Sequence, residues 1–256
     1  MRLGIIIPTP DLEHQHFQRC SARIAATTRH LNVGIHPIVS SGPGFRFARS
    51  VNQGIEADRD ADAWVVVNDD CFVDDGWLDA MLGVVGDDSR VGIVGALLRS
   101  PDGRIQHAGG FLTTGVGASV LTSCRFGFYQ EAARILVRRL ADWNPGAAYK
   151  TWHHLSVEST GRLDFITGAC ALFTRDLYEA IGGWDEDFPF GWEDVDFSLR
   201  ALEAGFRLRL AAKAGGVHLD RASGRQRMQP AEIESARVFR RQWPIARIRA
   251  LPTVRD

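Results

Sequence analysis

Two carboxylates and an amide, Asn68-Asp69-Asp70, directly follow the apolar run Trp64-Val65-Val66-Val67. The run predicts a buried strand, so both acids lie where that strand ends and close enough to repel each other. A hard divalent cation relieves this repulsion and can bridge the acids to a diphosphate, whose oxygens complete the coordination. Asn and Asp also cap turns well, so the local sequence leaves a metal-diphosphate site and a simple turn both open.

A second acidic cluster, Glu193-Asp194-Val195-Asp196, stands where a helix is predicted to begin. Exposed N–H groups favour carboxylates there, which accounts for one or two of the three acids. It does not account for the aromatic residues around them, Phe188, Phe190 and Trp192. Aromatic neighbours can keep an acid partly desolvated, as a general base requires. Helix capping and acid–base chemistry both remain open here.

Three histidine positions could add ligands or proton carriers. His218 follows the predicted strand Phe206–Ala211 after a small Gly-rich link, and His107 precedes Ala108-Gly109-Gly110. Taken alone, each is more often an ordinary hydrogen-bonded histidine than a ligand. His153-His154 is interpreted as a surface or acceptor-side pair.

The elements that must position these residues alternate between apolar runs and amphipathic segments. The early strands are predicted at Arg2–Ile7, Ile35–Val39, Trp64–Val67 and Val91–Leu98. The helices between them are predicted at Phe17–His30, Arg46–Ala57 and Trp77–Val85. This order predicts an α/β fold with a mostly parallel central sheet flanked by helices. Ligands then bind beyond the carboxyl ends of the strands.

The rhythm breaks over residues 112–161, which hold several aromatic side chains and a predicted basic helix, Gln130–Leu140. An excursion of this length predicts a functional insertion or a partner surface. Alternation then resumes, and the elements are predicted at Phe165–Phe173, Asp176–Ile181, Val195–Ala204, Phe206–Ala211 and Pro230–Trp243. We divide the single domain into a nucleotide-sugar half (1–110), the insertion (111–162), a catalytic half (163–228) and a C-terminal helix with its tail (229–256).

Bulk properties indicate an ordinary globular protein. The chain has 256 residues, 45% of them hydrophobic, and a formal net charge of -1, which gives no global drive toward nucleic acid or acidic lipid. Its four cysteines are scattered without a CxxC pair, so buried reduced thiols are expected. With neither a secretory signal nor an apolar run long enough to span a bilayer, a cytoplasmic location is expected, with peripheral membrane attachment left open.

Eight short stretches occur in a characteristic order and together resemble the inverting family-2 glycosyltransferases of the GT-A fold, especially the rhamnosyltransferase-like branch. The resemblance covers roughly residues 1–110 and 163–225. The stretches are Ile5-Ile6-Ile7-Pro8-Thr9, Asn52-Gln53-Gly54-Ile55, Val67-Asn68-Asp69-Asp70, Ile105-Gln106-His107-Ala108-Gly109, Thr167-Gly168-Ala169-Cys170, Ile181–Phe188, Glu193–Asp196 with Arg200, and Val217-His218.

The resemblance implies an inverting transfer of a sugar from a nucleoside diphosphate, by a single in-line displacement that depends on Mn²⁺ or Mg²⁺. Asp70 and His218 would hold the metal. Asp194 of the Glu193-Asp194 element would take the proton from the acceptor hydroxyl, and Glu193 is counted with it as catalytic. The residues expected to bind the donor are Pro8, Thr9, Asn52, Asn68, Asp69 and Gly168. Asn68 stands where the family carries the first Asp of its Asp-x-Asp element.

The donor and the acceptor stay open. Family members carry an acid at the end of the second strand, where this chain reads Ser40-Ser41-Gly42-Pro43-Gly44, so UDP, dTDP and GDP remain alternatives. The resemblance favours a saccharide of a cell-surface glycan, free or lipid-linked, as the acceptor. The alternatives are a hydroxymethylated base in DNA, and a nucleotide-sugar-binding module that has lost catalysis. A nucleotidyltransferase is set aside, because Pro8-Thr9-Pro10-Asp11-Leu12-Glu13 cannot cradle a triphosphate with backbone amides.

Overall fold

The computed structural model describes residues 1–42, 44–103, 105–115, 118–122, 163–219 and 230–251. Most of the predicted insertion, including His153-His154 and the helix Gln130–Leu140, lies outside the described residues. Within the described ranges, no helix is both long and apolar enough to cross a membrane.

The helices and strands follow the predicted alternation, with most bounds shifted by a few residues. The helices are α1 (Gln15–Thr27), α2 (Phe47–Ala57), α3 (Trp77–Asp87), α4 (Arg175–Ile181), α5 (Glu193–Glu203), α6 (Pro230–Gln242) and α7 (Ile245–Arg249). The strands are β1 (Leu3–Thr9), β2 (Val33–Val39), β3 (Ala63–Val67), β4 (Cys71–Val73), β5 (Val91–Arg99), β6 (Ile105–His107), β7 (Phe111–Gly115), β8 (Ala118–Thr122), β9 (Cys170–Thr174) and β10 (Arg207–His218).

The central sheet is ordered β2-β1-β3-β9-β5-β10-β4, with β6 added to β5, and β7 pairs with β8 in a separate hairpin. The predicted α/β fold is confirmed, but the sheet is mixed where the sequence predicts a mostly parallel one. The β1–β2, β1–β3 and β5–β10 pairs are parallel, whereas β9 runs antiparallel to both β3 and β5. The long excursion before β9 removes the short helical crossover that would force a parallel return.

Helices cover both faces of the sheet, and alternate residues of each strand point to opposite faces. On β1, Ile6 packs with α2, α4 and α5, whereas Leu3, Ile5 and Ile7 pack with α1 and α3. β1 and β3 are therefore buried along their whole length, and the polar residues Thr9 and Asn68 stand at their carboxyl ends. This arrangement places the functional side chains at one edge of the sheet.

Strand β10 continues to His218, although the sequence predicts that the strand stops at Ala211 and gives way to a Gly-rich link. Its register against β5 shifts between Ala211 and Gly215, where the strand carries a bulge. A Cβ on Gly215 would displace the Asp74 carboxylate, and a Cβ on Gly216 would lie 3.3 Å from the Phe72 carbonyl oxygen of β4. The glycines allow β4 to approach closely, and His218 is consequently held opposite Cys71 in a sheet.

Candidate active site

The loop after β3 brings Asp69 to the end of β1. The Thr9 hydroxyl donates to Asp69 Oδ2 at 2.8 Å, so these two predicted donor-binding residues lie together. Burial raises the pKa of the Asp69 carboxyl, and the Thr9 hydrogen bond opposes that rise. Pro8 lies beside them, buried in β1 opposite Ile38 of β2.

Asp70 faces His218, the other residue that the resemblance assigns to the metal. The His218 Nε2 atom lies 3.2 Å from Asp70 Oδ1, and both side chains are largely buried. Burial alone would raise the pKa of Asp70, but the hydrogen bond and the charge of His218 outweigh it and lower the pKa. Backbone pairing fixes the contact, because His218 lies in register with Cys71, the residue after Asp70.

Asn68 completes the group on the same side. Its amide nitrogen lies 3.3 Å from His218 Nε2, while its Oδ1 atom is buried without a hydrogen-bond partner among the described residues. A buried acceptor oxygen without a donor is costly unless a ligand supplies the missing contact. Carboxylate, amide oxygen and imidazole suit Mn²⁺ or Mg²⁺, so the residues present fit a divalent cation.

The cation would need ligands from elsewhere as well. Within the described parts of the chain, no group of three or more His, Cys, Asp and Glu side chains converges in a way that could hold a metal alone. Asp70 and His218 supply two such side chains, which leaves coordination positions for diphosphate oxygens.

Two residues of β6 support this site, namely Gln106, for which the sequence predicts no role, and His107, which the sequence offers as a ligand or proton carrier. The amide of Gln106 contacts His218 twice, with Oε1 2.7 Å from Nδ1 and Nε2 3.3 Å from the backbone carbonyl. His107 is buried, and its Nε2 atom accepts the Thr167 N–H at 3.1 Å. Burial, with a smaller effect from His218, lowers the pKa of His107 to about 3, so its ring is neutral at physiological pH. Only the stretch Ile105–Gly109 signalled these positions in the sequence.

Asp194 lies in the first turn of α5, and its side chain is anchored by two amides. Its Oδ2 atom accepts the Gly168 N–H at 3.1 Å and its Oδ1 atom accepts the Val195 N–H at 2.8 Å. Burial raises the pKa of Asp194, although these N–H groups and a hydrogen bond from the Thr167 side chain lower it. Asp194 is therefore compatible with both roles left open by the sequence, helix capping and acid–base chemistry, because it lies at a helix start and is also desolvated.

Glu193 is buried beside Asp194, with a different environment. Burial raises its pKa to about 8, and the neighbouring charge of Asp194 adds to the rise. Its Oε2 atom has no hydrogen-bond partner in the described structure. Glu193 thus holds its proton at neutral pH more readily than Asp194 does, since Asp194 receives the stabilising amides.

A continuous set of contacts joins the two acidic clusters. The Asn68 N–H donates to the Ala169 carbonyl at 2.9 Å, and the adjacent Gly168 N–H binds Asp194. A Cβ on Gly168 would lie 3.1 Å from Phe47 and 3.2 Å from Trp184, so the loop packs closely against these two aromatic rings. The Asn68-Asp69-Asp70 segment and Asp194 consequently lie at the same edge of the sheet.

Asn52, also predicted to bind the donor, uses its side chain to bind the segment before α5. Its Nδ2 atom donates to the Trp184 carbonyl at 2.9 Å and to Glu186 Oε1 at 3.0 Å, and its Oδ1 atom accepts the Trp184 N–H at 2.9 Å. Both ends of its amide are therefore used to hold the segment that leads to α5.

The aromatic residues near the second acidic cluster differ in burial and in backbone conformation. Phe188 is fully buried in the core, whereas Phe190 is 39% exposed and lies 6.2 Å from Phe45 between ring centroids. Trp192 has a φ of 76°, and among the described residues it is the one non-glycine residue with positive φ. Its ring packs 4.8 Å from that of Phe239. Backbone strain of this kind is often retained next to functional groups, here directly before Glu193.

Comparison with known proteins identifies the fold and the family. The mixed sheet, its flanking helices and the acids at the strand ends define a GT-A fold. A mannosyltransferase from Pyrobaculum calidifontis, solved with GDP-Man and Mn²⁺, shares this fold at a TM-score of 0.53 and 16% identity, over 98% of this chain and 72% of that one. A family model described as glycosyltransferase like family 2 matches residues 17–243, and the chain belongs to that family.

The chain is also similar to two curated proteins. An N-acetylglucosaminyl-diphospho-decaprenol L-rhamnosyltransferase from Mycobacterium tuberculosis is 28% identical over 189 residues, which is 71% of this chain and 57% of that protein. The O-antigen biosynthesis protein RfbC from Myxococcus xanthus is 30% identical over 158 residues, which is 62% of this chain and 11% of that protein. The chain thus spans little more than half of one relative and a small part of the other.

Proposed function

We propose that the chain is a metal-dependent inverting glycosyltransferase that moves a sugar from a nucleoside diphosphate to a hydroxyl of a cell-surface saccharide. The observation that carries this proposal is the unbroken set of contacts from His218 through Asn68 and Gly168 to Asp194. This network would place a diphosphate and an acceptor hydroxyl at one strand edge. Bond making and bond breaking at one sugar carbon require that proximity.

Asp70 and His218 would hold the metal, with Asn68 Oδ1, which has no hydrogen-bond partner among the described residues, as a further oxygen. Bound there, a divalent cation offsets the negative charge that grows on the departing diphosphate. The mannosyltransferase of similar fold was solved with Mn²⁺, which supports the choice of Mn²⁺ as the first metal to test.

Asp194 would act as the general base. As the acceptor oxygen bonds to the anomeric carbon and the bond from that carbon to the diphosphate breaks, the hydroxyl proton passes to the Asp194 carboxylate. The Gly168 and Val195 amides hold the carboxylate in place and favour its charged form, which is the form that can take a proton. Since no protein nucleophile takes part, the anomeric configuration inverts.

The remaining site residues divide into contact and support roles. Thr9 and Asp69 would bind the donor at the carboxyl end of β1. Gly168 would lie beneath the donor sugar, at a position where Phe47 leaves little room for a side chain. Asn52 would influence the donor only through the Trp184–Glu186 segment, to which its amide is bound. Glu193 would act as a neutral neighbour of the base.

The acceptor side is proposed around Phe190. Exposed aromatic rings bind the apolar faces of sugars, and Phe190 lies four positions before Asp194 on an exposed loop. The names of the relatives, a rhamnosyltransferase acting on a lipid-linked sugar and an O-antigen protein, support a saccharide of the cell surface.

The test is a panel of nucleotide sugars, namely UDP-glucose, UDP-galactose, UDP-N-acetylglucosamine, GDP-mannose and dTDP-rhamnose, each with Mn²⁺ or EDTA. Free nucleoside diphosphate is measured with and without saccharide acceptors, and with hydroxymethylated DNA as a separate arm. We expect metal-dependent release with at least one donor. A panel without any release, or equal release in EDTA, contradicts the proposal.

Asp194→Asn tests the base assignment with that donor. Because the amide cannot take the proton, transfer should fall by about 10²–10⁴-fold while donor binding persists. Asp187→Asn is the matched control, since Asp187 is an exposed aspartate of the same segment. Near wild-type transfer by Asp194→Asn would exclude Asp194 as the base.

A further inference from the structure

The short strand β6 (Ile105–His107) reaches both halves of the site. It pairs with the end of β5, with His107 opposite Leu98 and Ile105 opposite Arg99. Successive side chains of a strand point in opposite directions, and here Gln106 contacts His218 while His107 contacts Thr167. Gln106 therefore contacts the end of β10 at His218, and the adjacent His107 contacts the 167–169 segment that binds Asp194.

Gln106 determines which ring nitrogen of His218 faces Asp70. The His218 carbonyl can only accept, so the Gln106 amide nitrogen must point at it, and that leaves Oε1 against Nδ1. Nδ1 consequently carries the proton that it donates to Oε1 at 2.7 Å. Nε2, the atom 3.2 Å from Asp70, is therefore the nitrogen that would exchange its proton for a cation.

His107 holds the other segment. Its Nε2 atom accepts the Thr167 N–H at 3.1 Å, next to the Gly168 N–H that binds Asp194. Ala169, one residue further, receives the Asn68 N–H through its carbonyl. The backbone of 167–169 is thus fixed from three sides, and His107 supplies the contact from β6.

We propose that β6 is a positioning element, in which Gln106 orients His218 toward the cation and His107 holds the Thr167–Gly168 backbone against Asp194. This inference rests on the proposed function, and it adds two residues that act on the reaction without touching the substrate. Each acts on a different half of the site, so their loss should affect different measurements.

Gln106 is tested by Gln106→Met, which keeps the side-chain length and removes both hydrogen bonds. Mn²⁺ binding, measured with the metal alone by electron paramagnetic resonance, should weaken about 10-fold or more, the usual cost of losing such a partner. Long-range ¹H–¹⁵N spectra should show His218 protonated at Nδ1 in the wild type and a mixture of tautomers in the variant. Gln53→Met, on the exposed face of α2, is the matched control and should change neither result.

His107 is tested by two variants. His107→Phe removes the acceptor, so the Thr167 amide should exchange its hydrogen at least 10-fold faster and kcat should fall. His107→Gln offers a carbonyl oxygen near the position of Nε2, and it should restore slow exchange and most of kcat. Mn²⁺ affinity should remain at the wild-type value in both variants.

The outcomes separate this proposal from the proposed function. Failure of the wild-type chain to bind Mn²⁺ or to use any donor would contradict the proposed function, while the His218 tautomer and the Thr167 exchange rate would still test β6. An unchanged tautomer in Gln106→Met, or equal Thr167 exchange in His107→Phe and wild type, would overturn the positioning role. So would an equal loss of kcat in His107→Phe and His107→Gln.

Discussion

Neighbouring carboxyl groups in this site differ in how readily they hold a proton, because they receive different numbers of hydrogen bonds. Glu193 and Asp194 are both buried, but Asp194 receives the Gly168 and Val195 amides, whereas the Oε2 atom of Glu193 has no partner among the described residues. Two adjacent charges in an apolar site are unfavourable, so the proton stays on the residue with fewer donors. Asp194 is then the charged member, which is the state that a general base needs.

Glu193 should make the folded state sensitive to pH. Its pKa is raised from 4.5 to about 8, so between these values the folded chain holds a proton that the unfolded chain has released. The free energy of unfolding should therefore fall as pH rises through this window, by up to about 1.4 kcal/mol per pH unit. Glu193→Gln should remove that slope and raise the Tm most at pH 8, measured by thermal denaturation in EDTA.

The control for this slope is Glu56→Gln, because Glu56 is an exposed residue of α2 paired with Arg59. It should retain the wild-type dependence on pH. If Glu193→Gln also retained it, the pH dependence would arise from another group.

Asn68 offers a second prediction at the residue scale. Asn68→Asp would place a third carboxylate beside Asp69 and Asp70, and it would remove the amide nitrogen 3.3 Å from His218. Without metal, the added repulsion should lower the Tm by about 2–4 °C per kcal/mol lost. With saturating Mn²⁺ the extra charge should instead strengthen binding, so the rise in Tm on adding Mn²⁺ should exceed that of the wild type. An equal or smaller rise would place the metal away from Asn68.

At the element scale, sequence patterns predict the long helices and strands well and the short strands poorly. β4 and β6 have three residues each, too few to show a period, so the sequence pattern does not predict them. The pattern ends β10 at Ala211, because glycines usually indicate a loop, whereas here they permit close strand packing. The direction of β9 is decided by the path of the chain before it, which local patterns do not record.

Packing of α2 against β1 gives a prediction for a whole element. A Cβ on Gly54 would lie 2.4 Å from Ile6, so Gly54→Ala should push α2 off the sheet and destabilise the fold by about 1–3 kcal/mol. Gly83→Ala in α3 is the matched control, since no atom lies within 4 Å of its Cβ position. It should stabilise by about 0.5–1 kcal/mol, and Tm values from calorimetry decide between the two directions.

Displacement of α2 should also reach the site, because Asn52 on α2 holds the Trp184–Glu186 segment before α5. Gly54→Ala should therefore reduce sugar transfer at temperatures where the chain is still folded. Full activity in a destabilised Gly54→Ala would show that the site tolerates movement of α2.

Across the whole molecule, the site is assembled from segments that are far apart in the chain. Asn68-Asp69-Asp70 and Glu193-Asp194 could be predicted as acid clusters, but each alone allowed a capping role. Their order among the family stretches suggested a shared site, and the structure brings them together through the 167–169 backbone. The Gln106 and His107 contacts could not be predicted, since they depend on how β6 is seated against β5 and β10.

Assembly from distant segments predicts that ligand binding stabilises the entire domain. Mn²⁺ with UDP or GDP at about 100 times the dissociation constant should add about 2.7 kcal/mol, or roughly 5–10 °C in Tm. His218→Ala should lose most of this increase, whereas His30→Ala, an exposed histidine paired with Asp79, should keep it. The proposed site lies between β4, β10 and the 167–169 loop, so slower amide hydrogen exchange should appear in all three together. Protection restricted to the Asn68–Asp70 loop would mean that the two halves of the site are not coupled.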